Sequence, residues 1–363
     1  MAEGDMNGRG GQGDAARLLL AAARERFAVA ATDLLLPDAA RLTEWQRITA
    51  AALLSRLVAC IEDDLRSRLA GHLAGQEAAV AALTSAHVPI AAPILDRAGA
   101  LGDPELSAAL VRRAEEHRFW TARRPGGGDD LLFELARDED EEVASEAMAL
   151  VIARSRRFDR FQEPVLASAE LPAELQHKLI WLVAAALRHY LVQHHRLAGV
   201  DAAIEAAAAG AIGGHDEGDS LEATAQRLAL RLDRAGRLDG AIAGRMIESG
   251  LLPLFLAALA VRCDLDPAAV WEVLADPRGR GPALLLRAAG FEREAAARIL
   301  LALNATGPIL SGAEGDATAS QLELYDTLDP ASAGETLRLW RAHPAYRASV
   351  ARISTRARPV SAG

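Results

Sequence analysis

The histidines, and a few short runs in which titratable side chains are neighbours, are where this 363-residue chain could do chemistry. His189, His194 and His195 are spaced five and six positions apart. Two imidazoles share one helix face, and so one metal ion, only at i, i+3 or i, i+4. No His-Glu-x-x-His and no Cys-x-x-Cys occurs, so the spacing predicts no metal site. Glu115, Glu116 and His117 are adjacent. Successive helical positions point ~100° apart, so these three cannot act as one acid–base unit, and a solvated helix face is expected. There is no Gly-x-Ser-x-Gly, P-loop or kinase signature. Gly8, Gly10 and Gly13 have dinucleotide-fingerprint spacing, but no strand pattern precedes them and no βαβ unit surrounds them. The acidic run Asp138 to Glu142 lacks the Gly and the alternating ligands of a calcium loop. These residues predict no catalytic group, no metal and no cofactor, and a protein that is not an enzyme.

Two groups of side chains suit recognition instead. In the helix expected after Pro172, Leu175, Leu179, Leu182, Val183, Ala186, Leu187, Tyr190 and Leu191 form one apolar stripe, and Trp181, His177, Arg188 and His195 fall on the other side. A Trp among cationic groups can stack on a partner; the alternative is a helix packed on both sides, with Trp181 in the core. The second group is His117, Arg118, Arg123 and Arg124, beside Pro125 and three glycines. It concentrates positive charge in an acidic chain and suits an anionic ligand or an acidic partner segment, unless Glu115 and Glu116 pair with its arginines.

The elements that position these residues are helices. Hydrophobic residues make up 51% of the chain and aromatics only 4%. Ala and Leu supply most of the apolar side chains and favour helix, and the β-branched and aromatic runs of strands are missing. Thr43 and Gln46 have capping-box spacing. After them Leu54, Val58, Ile61, Leu65, Leu69 and Leu73 recur at the helical period. Four Asp-Pro pairs, Asp103-Pro104, Asp266-Pro267, Asp276-Pro277 and Asp329-Pro330, predict helix starts, with Asp as N-cap and Pro at the first helical position. Leu131 to Arg154 predicts helix, acidic turn, helix, as in a HEAT-type repeat.

The expected architecture is all-α: an irregular α-solenoid of HEAT-like stacked helix pairs in two helical subdomains. Residues 1–13 predict a disordered tail, 14–209 an N-terminal helical-repeat domain with periodicity beginning at Asp14, the Gly-rich stretch 210–219 a linker, 220–352 a C-terminal helical domain, and 353–363 a second disordered tail. Cys60 and Cys263 are expected to be buried, reduced thiols. The formal net charge of −10 opposes general nucleic-acid binding. The longest apolar run, Leu251 to Val261, is about half of the ~20 residues that a membrane span needs. With no apolar signal segment at the start, a cytoplasmic location is expected.

Several stretches resemble one known family when taken in order. They are Pro89-Ile-Ala-Ala-Pro-Ile-Leu95, Glu115-Glu-His-Arg118 with Ala122-Arg-Arg124, Val143-Ala-Ser-Glu-Ala-Met-Ala-Leu150, Leu171-Pro-Ala-Glu-Leu175 with Trp181-Leu-Val-Ala-Ala-Ala186, Gly250-Leu-Leu-Pro-Leu-Phe-Leu256, and Leu337-Arg-Leu-Trp-Arg341 with Pro344-Ala-Tyr-Arg347. The chain resembles the bacterial, mainly alphaproteobacterial, domain of unknown function 2336 family from about His87 to Arg347. The resemblance implies a helical, HEAT-like cytoplasmic protein and assigns no activity. The functional expectation is a non-enzymatic scaffold or regulatory protein that binds a protein partner, by analogy one in signalling. The alternatives are a sensor of a small molecule or nucleotide second messenger with an anion site between subdomains, and a HEAT-like DNA glycosylase, which the acidic balance and scarce aromatics oppose.

Overall fold

A computed structural model describes residues 41–353, except 74, 86–87, 123–130, 198, 215–217, 219, 277–278, 306–316, 344, 348 and 351–352. Among the described residues every regular element is a helix, and the one extended pairing is an isolated bridge between Phe158 and Pro164. The glycine fingerprint, both expected tails and part of the 210–219 linker lie outside the described residues.

The helices are α1 (Glu44–His72), α2 (Glu77–Thr84), α3 (Ala91–Arg97), α4 (Pro104–Ala122), α5 (Leu131–Leu135), α6 (Glu141–Ser155), α7 (Ala173–His195), α8 (Asp201–Ile212), α9 (Leu221–Arg234), α10 (Gly240–Glu248), α11 (Leu252–Cys263), α12 (Pro267–Leu274), α13 (Gly281–Ala288), α14 (Arg293–Ala305), α15 (Ala317–Thr327) and α16 (Pro330–Thr336). A 3-10 turn, Ser168–Glu170, precedes α7, and another, Leu337–Arg341, follows α16.

Most starts follow from local chemistry. Thr43 and Gln46 close a reciprocal capping box on α1, at 3.2 and 2.8 Å. Asp103, Asp266 and Asp329 cap α4, α12 and α16, each accepting from backbone N–H groups of the first turn. Asp140 caps α6 in the same way. Asp276 does not open a helix: α12 ends at Leu274, Asp276 accepts from the Arg280 N–H at 3.1 Å, and α13 starts only at Gly281. Cys263 is buried, its thiol pushed up to about 12 chiefly by burial. Cys60, expected inside, is exposed on α1, because the inward face of that helix is taken by Leu53, Leu57, Ile61 and Leu65.

The buried apolar side chains form two clusters. One is built by α1–α4, α7 and α8, and includes Leu57, Val58, Leu69, Leu179, Val183 and Leu187. The other is built by α5, α6 and α9 onward, with the largely buried α11 as its axis. Residues 131–153 therefore pack with residues 221–337 although they precede the 210–219 segment. α1 lies against α7 and α8 as well as against α2, α3 and α4, so packing is not confined to successive pairs as in a regular solenoid. α4 belongs to both clusters: Leu106, Leu110 and Ala114 face the first, Phe119 the second.

Candidate functional site

α7 sets the first candidate surface. Its buried apolar residues, Leu175, Leu179, Ile180, Val183, Ala184, Ala186, Leu187 and Leu191, with the buried Gln176, fix which face turns inward. Glu174, Lys178, Trp181, Ala185 and Arg188 then form the exposed stripe. Trp181 is 44% exposed, so it is a surface residue and not part of a second packed face. The buried side chains of α7 lie on one broad face.

The cations beside Trp181 are partnered. Lys178 is paired with Asp103, the cap of α4, and Arg188 with Asp201 at the start of α8. These pairs bring the N-termini of two other helices to the same surface. Hydrogen bonding from Lys178 lowers the Asp103 pKa, and Arg188 does the same for Asp201. His177 is half-buried one turn before Trp181. His195 is half-buried at the end of the helix, its ring 5.5 Å from Tyr190. The result is an indole framed by two neutralised ion pairs.

The second group lies on the C-terminal half of α4, and its members diverge. Arg118 donates from Nε and Nη2 to Glu115 Oε2 at 2.9 and 2.6 Å. Glu115 also accepts from Gln46 Nε2 of α1 at 2.9 Å. Burial raises the Glu115 pKa against the pull of Arg118 and Gln46. His117 instead joins an aromatic cluster, 6.1 Å from Trp120 and 5.9 Å from Phe158, which are themselves 4.3 Å apart. Its Nδ1 is buried with no hydrogen-bond partner among the described residues. Burial and the nearby Arg113 lower its pKa, against Glu163. Arg123 and Arg124 lie outside the described residues, so the structure places only His117 and Arg118 of this group. Trp181 and His117 sit on different helices.

Glu116, the third member of the adjacent trio, points into a buried ion cluster that local spacing could not reveal. Arg157 is 2% exposed. It donates to Glu116 Oε2 at 2.8 Å, to Glu170 Oε1 at 2.9 Å, and to both carboxylate oxygens of Glu222 at 2.8 and 2.7 Å. Glu116 also meets Arg112 at 3.1 Å and Arg113 at 3.6 Å. Burial alone would raise the Glu222 pKa, but the guanidiniums of Arg157 and Arg112 outweigh it and hold the carboxyl at about 2. Glu170 is raised by burial despite Arg157, with the negative charges of Glu222 and Glu116 adding to the rise. Burial and the Arg157 charge push Arg113 down to about 10, against Glu116. A cavity of about 30 Å³ lies between this cluster, Trp120, Phe158 and the apolar Leu221 and Leu254. The partners of Arg157 are 13, 41 and 65 positions away, which is why no short motif marks them.

Among the described residues no three His, Cys, Asp or Glu side chains gather as a metal site, and no helix is long and apolar enough to cross a membrane. No curated protein and no solved structure matches the chain. The family described as an uncharacterised protein conserved in bacteria, domain of unknown function 2336, matches residues 90–338. That span runs from the residue before α3 into the 3-10 turn after α16, and so includes α7, the α4 cluster and all of the second apolar core. The order of short helical stretches noted in the sequence thus carries a true relationship, and this chain belongs to the bacterial domain of unknown function 2336 family.

Proposed function

We propose that this chain is a non-enzymatic interaction protein, a cytoplasmic scaffold or regulator, whose contact surface is the outward stripe of α7 centred on Trp181. The exposed indole carries this reading. A large aromatic side chain left in water at mid-helix gives up apolar burial that its neighbours have, and Trp is the residue type most enriched where partners bind tightly. The flanking ion pairs contribute little net energy at an exposed surface, but they tie Lys178 to Asp103 and Arg188 to Asp201 and orient what docks there. The net charge of −10 favours a protein segment over a phosphate backbone. The pairing of Arg118 with Glu115 gives less support to an anion sensor built on the α4 cluster.

Affinity capture with cross-linking, from cells of the source bacterium, tests the assignment. The expected result is a partner enriched by the wild-type chain and lost with Trp181→Ala, while far-UV circular dichroism and melting temperature stay unchanged. A partner retained at full yield by that variant would show that the α7 stripe is not the contact surface.

A further inference from the structure

The two apolar clusters do not merge. Between the helices of one and the helices of the other, the main contact is that of α4 with α11. Beside it lie six charged groups, Arg112, Arg113 and Glu116 on α4, Arg157 just after α6, Glu170 in the turn before α7, and Glu222 in the first turn of α9, next to the apolar Trp120, Phe158, Leu221 and Leu254. These six groups are balanced, three cations with three anions. Arg112 on α4 reaches Glu222 at 3.7 Å, but the hydrogen-bonded link between the two sides is the Arg157 guanidinium. Its bonds to Glu116 and Glu170 reach residues next to the first cluster, and its two-pronged bond to Glu222 reaches the second. Arg113 adds bonds to the Val165 and Arg157 carbonyls, which fix the strand of chain returning between the clusters.

Apolar burial is non-directional, whereas a two-pronged guanidinium–carboxylate bond sets an angle as well as a distance. Lobes joined through a polar seam move relative to one another unless something specific holds them. We infer that the chain is two lobes sharing α4 as a common beam, and that Arg157 is the clasp that fixes their relative orientation. Releasing the clasp frees one lobe to rotate against the other about α4, a rigid-body change of the kind that opens and closes multi-lobed proteins. Trp181, on α7, lies wholly on the first lobe.

Spin-label distance measurement on the full chain tests it. Cys60, exposed on α1, reports the first lobe; Leu301→Cys, at a 63% exposed position on α14, reports the second. Cys263→Ala removes the remaining thiol. The expected result is one narrow distance distribution with Arg157 present. With Arg157→Met the distribution broadens and shifts while far-UV helical signal is kept. Glu222→Gln, which leaves the bonds of Arg157 to Glu116 and Glu170 in place, moves it in the same direction by less. A distribution unmoved by both variants overturns the clasp. So does loss of the helical signal in both, which would make the cluster a requirement for folding and not a setter of orientation.

Discussion

Among the described residues, His117 is an imidazole whose surroundings lower its pKa, which sets up a pH response. Burial and the charge of Arg113 lower its pKa from the ordinary 6.5, so the folded chain takes up this proton less readily than the unfolded chain. Stability from this group is complete above about pH 6.5 and is lost as the pH falls through that value and toward the lowered one. The carboxylates act in other windows. Glu170, raised by burial, adds stability on acidification through the carboxylate range. Glu222 contributes fully above its ordinary 4.5 and loses that contribution only toward about 2. Across the interval from about pH 7.5 to 5.5, which brackets the ordinary imidazole value, the loss from the imidazole on acidification opposes the gain from Glu170. His117→Phe, which keeps a ring beside Trp120 and Phe158, should flatten the fall in melting temperature across that interval, as measured by calorimetry. A fall equal to that of the wild type would count against the buried, unprotonated imidazole.

At the scale of the element, α12 and α13 approach so closely that one position tolerates only hydrogen. A Cβ on Gly281 would lie 1.6 Å from the Val273 carbonyl oxygen and 2.7 Å from its carbon. Backbone cannot yield there as a flexible side chain would. Gly281→Ala should cost about 3 kcal/mol, the upper end of overpacking penalties, read from urea denaturation. Gly334, whose added Cβ would meet nothing within 4 Å, is the control and should tolerate Ala. Much at this scale was legible in the sequence. The capping box at Thr43, the Asp caps of α4, α12 and α16 and the turn between α5 and α6 are local chemistry, decided within four residues. Asp276 shows the limit of that logic. Its side chain caps a turn instead of a helix, because the chain must close against Val273 before α13 can begin.

At the scale of the molecule, the two lobes are not two consecutive stretches of chain. α5 and α6 leave the first lobe, pack with α9 and the second core, and the chain then returns to build α7 and α8. A fragment ending at residue 212 keeps α5 and α6 but loses their cover. Leu131, Leu132, Leu135, Val143 and Leu150 would then face water. Such a fragment should bind a hydrophobic dye and self-associate in sedimentation, whereas the full chain should do neither; a compact, dye-free monomer would refute this division. The sequence by itself determined the all-helical class, most helix starts, the inward stripe of α7 and the family, because periodicity and capping are read within a turn or two. It offered Trp181 and could not say whether that indole met solvent or core, and it left Arg157 unmarked. Those matters were decided by the tertiary structure, since exposure and buried charge pairing depend on which distant helices come to lie alongside, and carboxylates as far as 65 residues from a guanidinium leave no trace in local spacing.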